Sequence, residues 1–151
     1  MFSFSRALLL LAGLGGASAQ AATATLAAPG VICRRYPVET LQSLRNGDTR
    51  LVVVVQAFTP PTTGPAGLAV WLAPPGGTEV ELARLAIHPR QAYQAYERVR
   101  WQRFLVSLAA HAEQLHDDNP LCIKVGFALS AAQGQGGMVF DLEVIGAGDG
   151  R

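Results

Sequence analysis

The hydrophobic pattern breaks the chain into short apolar runs separated by turn residues. Leu51-Val52-Val53-Val54-Val55 lies within Thr49 to Phe58, with Asn46-Gly47-Asp48 before it and Pro60-Pro61 after it. A β-branched run without polar alternation predicts a strand covered on both faces. Gly67 to Ala73 predicts a second strand, set between Gly64-Pro65 and Pro74-Pro75-Gly76-Gly77. Thr78 to Ile87, with Val80, Leu82 and Leu85, predicts a third that stops at His88-Pro89. Near the end, Leu121 to Ser130 and Met138 to Ile145 predict two more, joined through Gln133-Gly134-Gln135-Gly136-Gly137. In the last of them Val139, Asp141 and Glu143 alternate with Phe140, Leu142 and Val144, the period-two pattern of a half-buried strand.

Two periods compete between Arg98 and His116. Helical spacing would place Trp101, Phe104, Leu105, Leu108, Ala112 and Leu115 on one face. Arg98, Arg100 and Arg103 would then sit at the positive end of the helix dipole, which disfavours cations by a few tenths of a kcal/mol each. The dipole favours a strand over Trp101 to Val106 and a short helix over about Ser107 to His116, ended by Asp117-Asp118-Asn119-Pro120, while the sequence leaves strand and helix both open for 101–106. Five or six strands at hairpin-like spacing with one helical insertion predict a mainly β fold, a small antiparallel β-sandwich with one short helix.

The N-terminus has its own grammar. Arg6 precedes an apolar run from Ala7 to Leu14, followed by small residues with overlapping A-x-A sites at Ala17-Ser18-Ala19 and Ala19-Gln20-Ala21. That order predicts a cleavable signal peptide over residues 1–21, since the apolar core is well short of the ~20 residues that span a bilayer. Residues 22–30, Ala, Thr and Pro-Gly without periodicity, read as a flexible lead-in. Residues 31–146 then form a single domain, and 147–151 a disordered polar tail. The expected location is periplasmic or secreted, with no membrane attachment after cleavage.

The whole chain of 151 residues has 12 Lys+Arg and 11 Asp+Glu; losing Arg6 leaves 11 against 11. A neutral domain has no electrostatic case for nucleic acid or an anionic membrane. Cys33 and Cys122 are the two cysteines, and in an oxidising compartment such a pair is expected to bridge. A redox-active or metal-binding pair would want C-x-x-C spacing, which they lack.

No serine has a G-x-S-x-G setting, and no phosphate-binding glycine motif joins a strand to a helix. A copper or zinc site would have to use His88, His111 or His116, the last two bracketing Glu113 beside Asp117 and Asp118. On a helix, residues five apart point roughly 140° away from each other, so His111 and His116 do not readily share an ion. Phe58, Trp71, Trp101, Phe104, Phe127 and Phe140 fall inside predicted elements and read as core. Tyr93 and Tyr96 fall instead in a polar connection, Gln91-Ala92-Tyr93-Gln94-Ala95-Tyr96, flanked by Arg90 and Arg98. These four residues, with the Pro60 to Pro65 turn, are the expected contact surface.

From Gly67 onward the order of segments resembles the β-sandwich domain at the C-terminal end of tyrosinases and polyphenol oxidases. The resemblance is carried by Gly67-Leu68-Ala69-Val70-Trp71-Leu72, Leu82-Ala83-Arg84-Leu85-Ala86-Ile87-His88-Pro89, Arg103-Phe104-Leu105-Val106-Ser107-Leu108, Ile123-Lys124-Val125-Gly126-Phe127 and Val139-Phe140-Asp141-Leu142-Glu143-Val144. It covers about half of the chain. The two copper-binding histidine clusters of such enzymes are missing, because this chain has three histidines in all. The resemblance implies a free-standing relative of the domain that packs over a dicopper enzyme's entrance. The functional expectation is an exported, non-catalytic interaction or accessory module for an unknown protein partner, a copper oxidase being one candidate. The alternative is a periplasmic protein that handles copper or zinc.

Overall fold

A computed structural model describes residues 20–64, 66–88, 90–128 and 134–146. The expected signal peptide up to residue 19, the tail from 147 to 151, Pro65 and Pro89 lie outside the described residues. In chain order the elements are β1 (Ala22–Thr25), β2 (Gly30–Arg34), α1 (Val38–Asn46), β3 (Thr49–Thr59), β4 (Gly67–Leu72), β5 (Val80–Ala86), β6 (Gln102–Val106), β7 (Leu121–Phe127) and β8 (Gly137–Gly146). Two four-stranded antiparallel sheets form a β-sandwich, one in the order β1-β8-β3-β6 and the other β2-β7-β4-β5. No helix among the described residues is long and apolar enough to cross a membrane.

Strand β3 shows why the valine run was written without alternation. Leu51, Val53 and Val55 enter the core between the sheets, while Val52 and Val54 face the other way and are equally buried. Their cover comes from the neighbouring strands. Glu143 lies opposite Val52 and Arg103 opposite Val54, and the two side chains meet in an ion pair at 2.6 Å across the outer face of β3. The apolar stems of the pair shield the valines, and its charged ends stay in water.

Three expectations about the N-terminal part and the helix are corrected. The lead-in is not flexible over its whole length: Ala22–Thr25 pairs with Gly137–Phe140, and Ala24 is buried. Without β1 that stretch of β8 would expose unpaired backbone groups, and Ala and Thr are small enough to lie flat over Phe140. Gly30 closes the same packing, for a Cβ there would stand 2.6 Å from the Thr23 carbonyl oxygen and 2.7 Å from Phe140.

The regular helix lies elsewhere than expected. It is α1, placed between Pro37 and Gly47, burying Leu41 and Leu44 and ending on a left-handed Gly47 whose N–H donates to the Leu44 carbonyl. Ser107 to His116 instead forms 3-10 turns over Ala109–Gln114, broken at His111. This segment carries the chain from β6 in one sheet to β7 in the other. Leu108 and Leu115 are pinned in the core at its two ends, and i to i+3 bonds such as His111 N–H to Leu108 O take up the intervening length. The strand reading beside it holds, since β6 pairs with β3 from Gln102 to Val106.

Cys33 and Cys122 form a disulfide. They are direct cross-strand neighbours in the β2–β7 ladder. A second tie holds the end of β2: Arg34 donates to the Asp141 carboxylate and to the Leu142 carbonyl oxygen. Both acceptors lie just past the stretch of β8 that β1 covers, so the arginine caps an edge that no strand reaches.

Candidate functional site

The connection from β5 to β6, residues 87–101, crosses from one sheet to the other and is held at three points. Ile87 is buried and its N–H donates to Ala66 O at 3.2 Å. Tyr93 forms an isolated antiparallel bridge with Phe58, their N–H groups each donating to the other's carbonyl at 2.9 and 3.0 Å. Trp101 closes the segment by donating from its indole nitrogen to Ala95 O at 2.9 Å.

Tyr93 is therefore not part of a contact surface, and this corrects the sequence reading. It is 3 % exposed, its ring centroid lies 6.3 Å from that of Phe58, and its hydroxyl donates to Val55 O at 3.0 Å. Burial pushes the phenol above its usual value, against smaller lowering influences from a backbone hydrogen bond at Gln102 and from Arg100. The residue is the peg on which the connection hangs.

What the peg holds up is exposed. Tyr96 is 82 % and Val99 98 % exposed. Tyr96 lies in a tight turn locked from both sides, with Val99 just after it: Glu97 N–H donates to Gln94 O, and Gln94 N–H donates to a Glu97 carboxylate oxygen at 2.7 Å. That bond holds the Glu97 carboxyl below the usual range; burial opposes it, and the Arg100 guanidinium at 3.3 Å adds a smaller lowering. Arg100 lies 5.4 Å over the Tyr93 ring, and Arg98 5.7 Å over the Trp101 ring. A cleft of about 300 Å³ opens beside them, lined by His88, Tyr93, Val99, Arg100, Trp101 and Gln102.

Arg90 donates to Gly64 O, and neither Arg90 nor Arg98 has a carboxylate partner among the described residues. Three arginines against one glutamate give residues 87–101 a charge of +2, where the whole chain carries +1. Of the four expected contact residues, Tyr96, Arg90 and Arg98 stay on this face. Val99 was missed, although a lone β-branched residue between two arginines in a connection is a legible signal. In the Pro60 to Pro65 turn, Pro61 is buried, while Thr62 and Thr63 are exposed and Thr62 accepts from Gln135 N–H at 3.2 Å.

The histidines stay apart from one another in role. His88 is exposed at the cleft, its backbone N–H donating to the Gln102 side chain at 3.1 Å. His111 sits at the break in the 3-10 turns, and the exposed His116 borders a small cavity beside Cys122. Among the described residues no three His, Cys, Asp or Glu side chains converge as a metal site would need. Of the aromatic residues read as core, Phe58, Phe127 and Phe140 are buried, while Trp101 and Phe104 pack on the core's rim. Trp71 is half-buried and carries the Lys124 ammonium 4.7 Å above its ring.

Comparison with protein-family models, with known proteins and with solved structures returns no match.

Proposed function

We propose that the protein is an exported, non-catalytic β-sandwich module that docks onto a protein partner through the 87–101 connection. The partner it fits presents carboxylates around an apolar centre. The observation that carries this reading is the contrast between Tyr93 and its neighbours: a buried peg and a locked turn hold Tyr96 and Val99 almost fully in water. Exposed apolar side chains on a rigid support, with Arg90 and Arg98 free of carboxylate partners among the described residues, have the make-up of an interface anchor. Rigid presentation lowers the ordering cost of association, and the +2 charge selects an acidic counterpart.

Export is supported by the N-terminal sequence pattern and by a disulfide of the kind that oxidising compartments preserve. The sequence resemblance to a domain that covers the entrance of tyrosinases makes a copper oxidase the first partner class to test.

The test places a photo-crosslinking amino acid at Val99, and at Arg84 as a control, in the exporting cell. The protein captured from Val99 alone is then purified and titrated with wild type, with Val99→Asp and with Arg98→Glu. Binding weakened roughly 10- to 100-fold by each substitution and by added salt is expected. Equal binding by all three proteins, or a wild type that uses this face only to pair with a second copy, would overturn the reading.

A further inference from the structure

The disulfide is asymmetric in a way that bears on its chemistry. Cys33 sits on β2, the outermost strand of its sheet, and is exposed; Cys122 sits on β7, between β2 and β4, and is 3 % exposed. The two residues are directly opposed, so the bond joins the edge strand of the sheet to its inner neighbour. A thiolate attacks a disulfide in line with the bond it breaks. The Cys33 end of the bond is carried by the edge strand, beyond which no further strand pairs among the described residues. The Cys122 end is buried on a strand paired on both sides, with Ala73 N–H bonded to Cys122 O at 2.9 Å on the β4 side. A cavity of about 10 Å³ beside Cys122, bordered by Leu72, Pro74 and Pro120, has room for one water and not for a thiol-bearing group.

We infer that Cys33 is a thiol-exchange site, the single sulfur through which an external dithiol reductant enters this disulfide in the folded protein. One thiolate of the dithiol attacks Cys33 Sγ, a new sulfur–sulfur bond forms there, and the electron pair of the old bond leaves on Cys122 Sγ, which takes up a proton. The second thiolate of the dithiol then attacks its own partner sulfur and releases Cys33 as a thiol. The dithiol ends oxidised to a disulfide, and both cysteines end reduced. The backbone ladder of β2 with β7, buried Ile32 and the Arg34 tie to β8 keep the strand in place while the mixed disulfide exists. The site lies on the other sheet from β6 and does not depend on the docking surface proposed above.

The probe is glutathione, a monothiol, which stops at the mixed disulfide. The oxidised full-length protein is incubated with excess glutathione in native buffer, quenched early with acid and mapped by mass spectrometry. Adduct on Cys33 should exceed adduct on Cys122 by roughly tenfold or more, following access to the two sulfurs. In parallel, the rate of reduction by dithiothreitol should rise linearly with its concentration and change little in urea below the unfolding transition. Equal labelling of the two cysteines, a preference for Cys122, or a reduction rate that climbs with urea in step with the unfolded fraction would overturn the inference.

Discussion

The hydroxyl of Tyr93 donates to the carbonyl oxygen of Val55 at 3.0 Å, across 38 positions of sequence. With the two backbone bonds between Tyr93 and Phe58, it joins the connection that carries the exposed Tyr96 and Val99 to the inner strand β3. Removing the donor alone, in Tyr93→Phe, leaves a buried carbonyl short of its partner and should cost about 1–3 kcal/mol in urea unfolding. Tyr93→Ala also removes the ring beside Phe58 and should cost about 3–5 kcal/mol. Tyr96→Ala, on the same connection, should stay within about 0.5 kcal/mol of wild type, which separates the peg from what it holds.

Cys33 and Cys122 close a loop with a sequence separation of 89. Loop-closure entropy makes such a bond worth about 4–5 kcal/mol, chiefly by restricting the unfolded chain. The Cys33→Ala/Cys122→Ala double variant should show that loss in its denaturant midpoint. Its far-ultraviolet circular dichroism should remain that of wild type, because the β2–β7 register is also set by backbone pairing.

Arg34 and Asp141 are both largely shielded, their side chains 22 % and 15 % exposed. Arg34→Ala leaves the carboxylate with only the Leu142 N–H at 2.7 Å and leaves the Leu142 carbonyl uncapped. A loss of about 1–3 kcal/mol is expected. Arg34→Lys should recover only part of it, because an ammonium cannot serve both acceptors with the geometry of a planar fork. A double-mutant cycle with Asp141→Ala should give less than the sum of the two single effects.

Burial raises the phenol of Tyr36, as it does that of Tyr93; Arg34 opposes the rise at Tyr36 and Asp141 adds to it. A phenol whose value is higher in the folded state than in the unfolded state holds its proton more tightly when folded. Its stabilising contribution is fully present below the unfolded value of about 10 and is lost as pH rises through the folded value. Urea midpoints should therefore be level from pH 8 to 9 and fall above pH 10, with a shallower fall in Tyr93→Phe. A midpoint unchanged at pH 11 would contradict the assignment.

Most strands were legible because their determinants are local. The Leu51 to Val55 run, the turn residues around Gly67–Leu72 and the alternation from Val139 to Val144 each declare a strand without reference to anything distant. Helix α1 also carried local signs, with Pro37 before it, Leu41 and Leu44 three apart, and Gly47 after it. They are weak signs, because nine residues provide little more than two turns of pattern. Strand β1 carried no such sign. Ala22–Thr25 becomes a strand because β8 presents an unpaired edge to it, and that edge exists only once the sheet has assembled.

The site divides along the same line. Sequence marked the 87–101 connection, since aromatic residues among arginines and glutamines are poorly explained by a core. It could not sort Tyr93 from Tyr96, because three residues of separation in an irregular segment leave the direction of each side chain to the turn between them. By itself, then, the sequence determined a mainly β sandwich, the pairing of Cys33 with Cys122 and the segment whose surface is exposed, all of which follow from residue type and short-range order. Only the tertiary structure decided which tyrosine is buried, which sulfur faces the solvent and which charges meet across β3. Those outcomes depend on where distant strands come to lie.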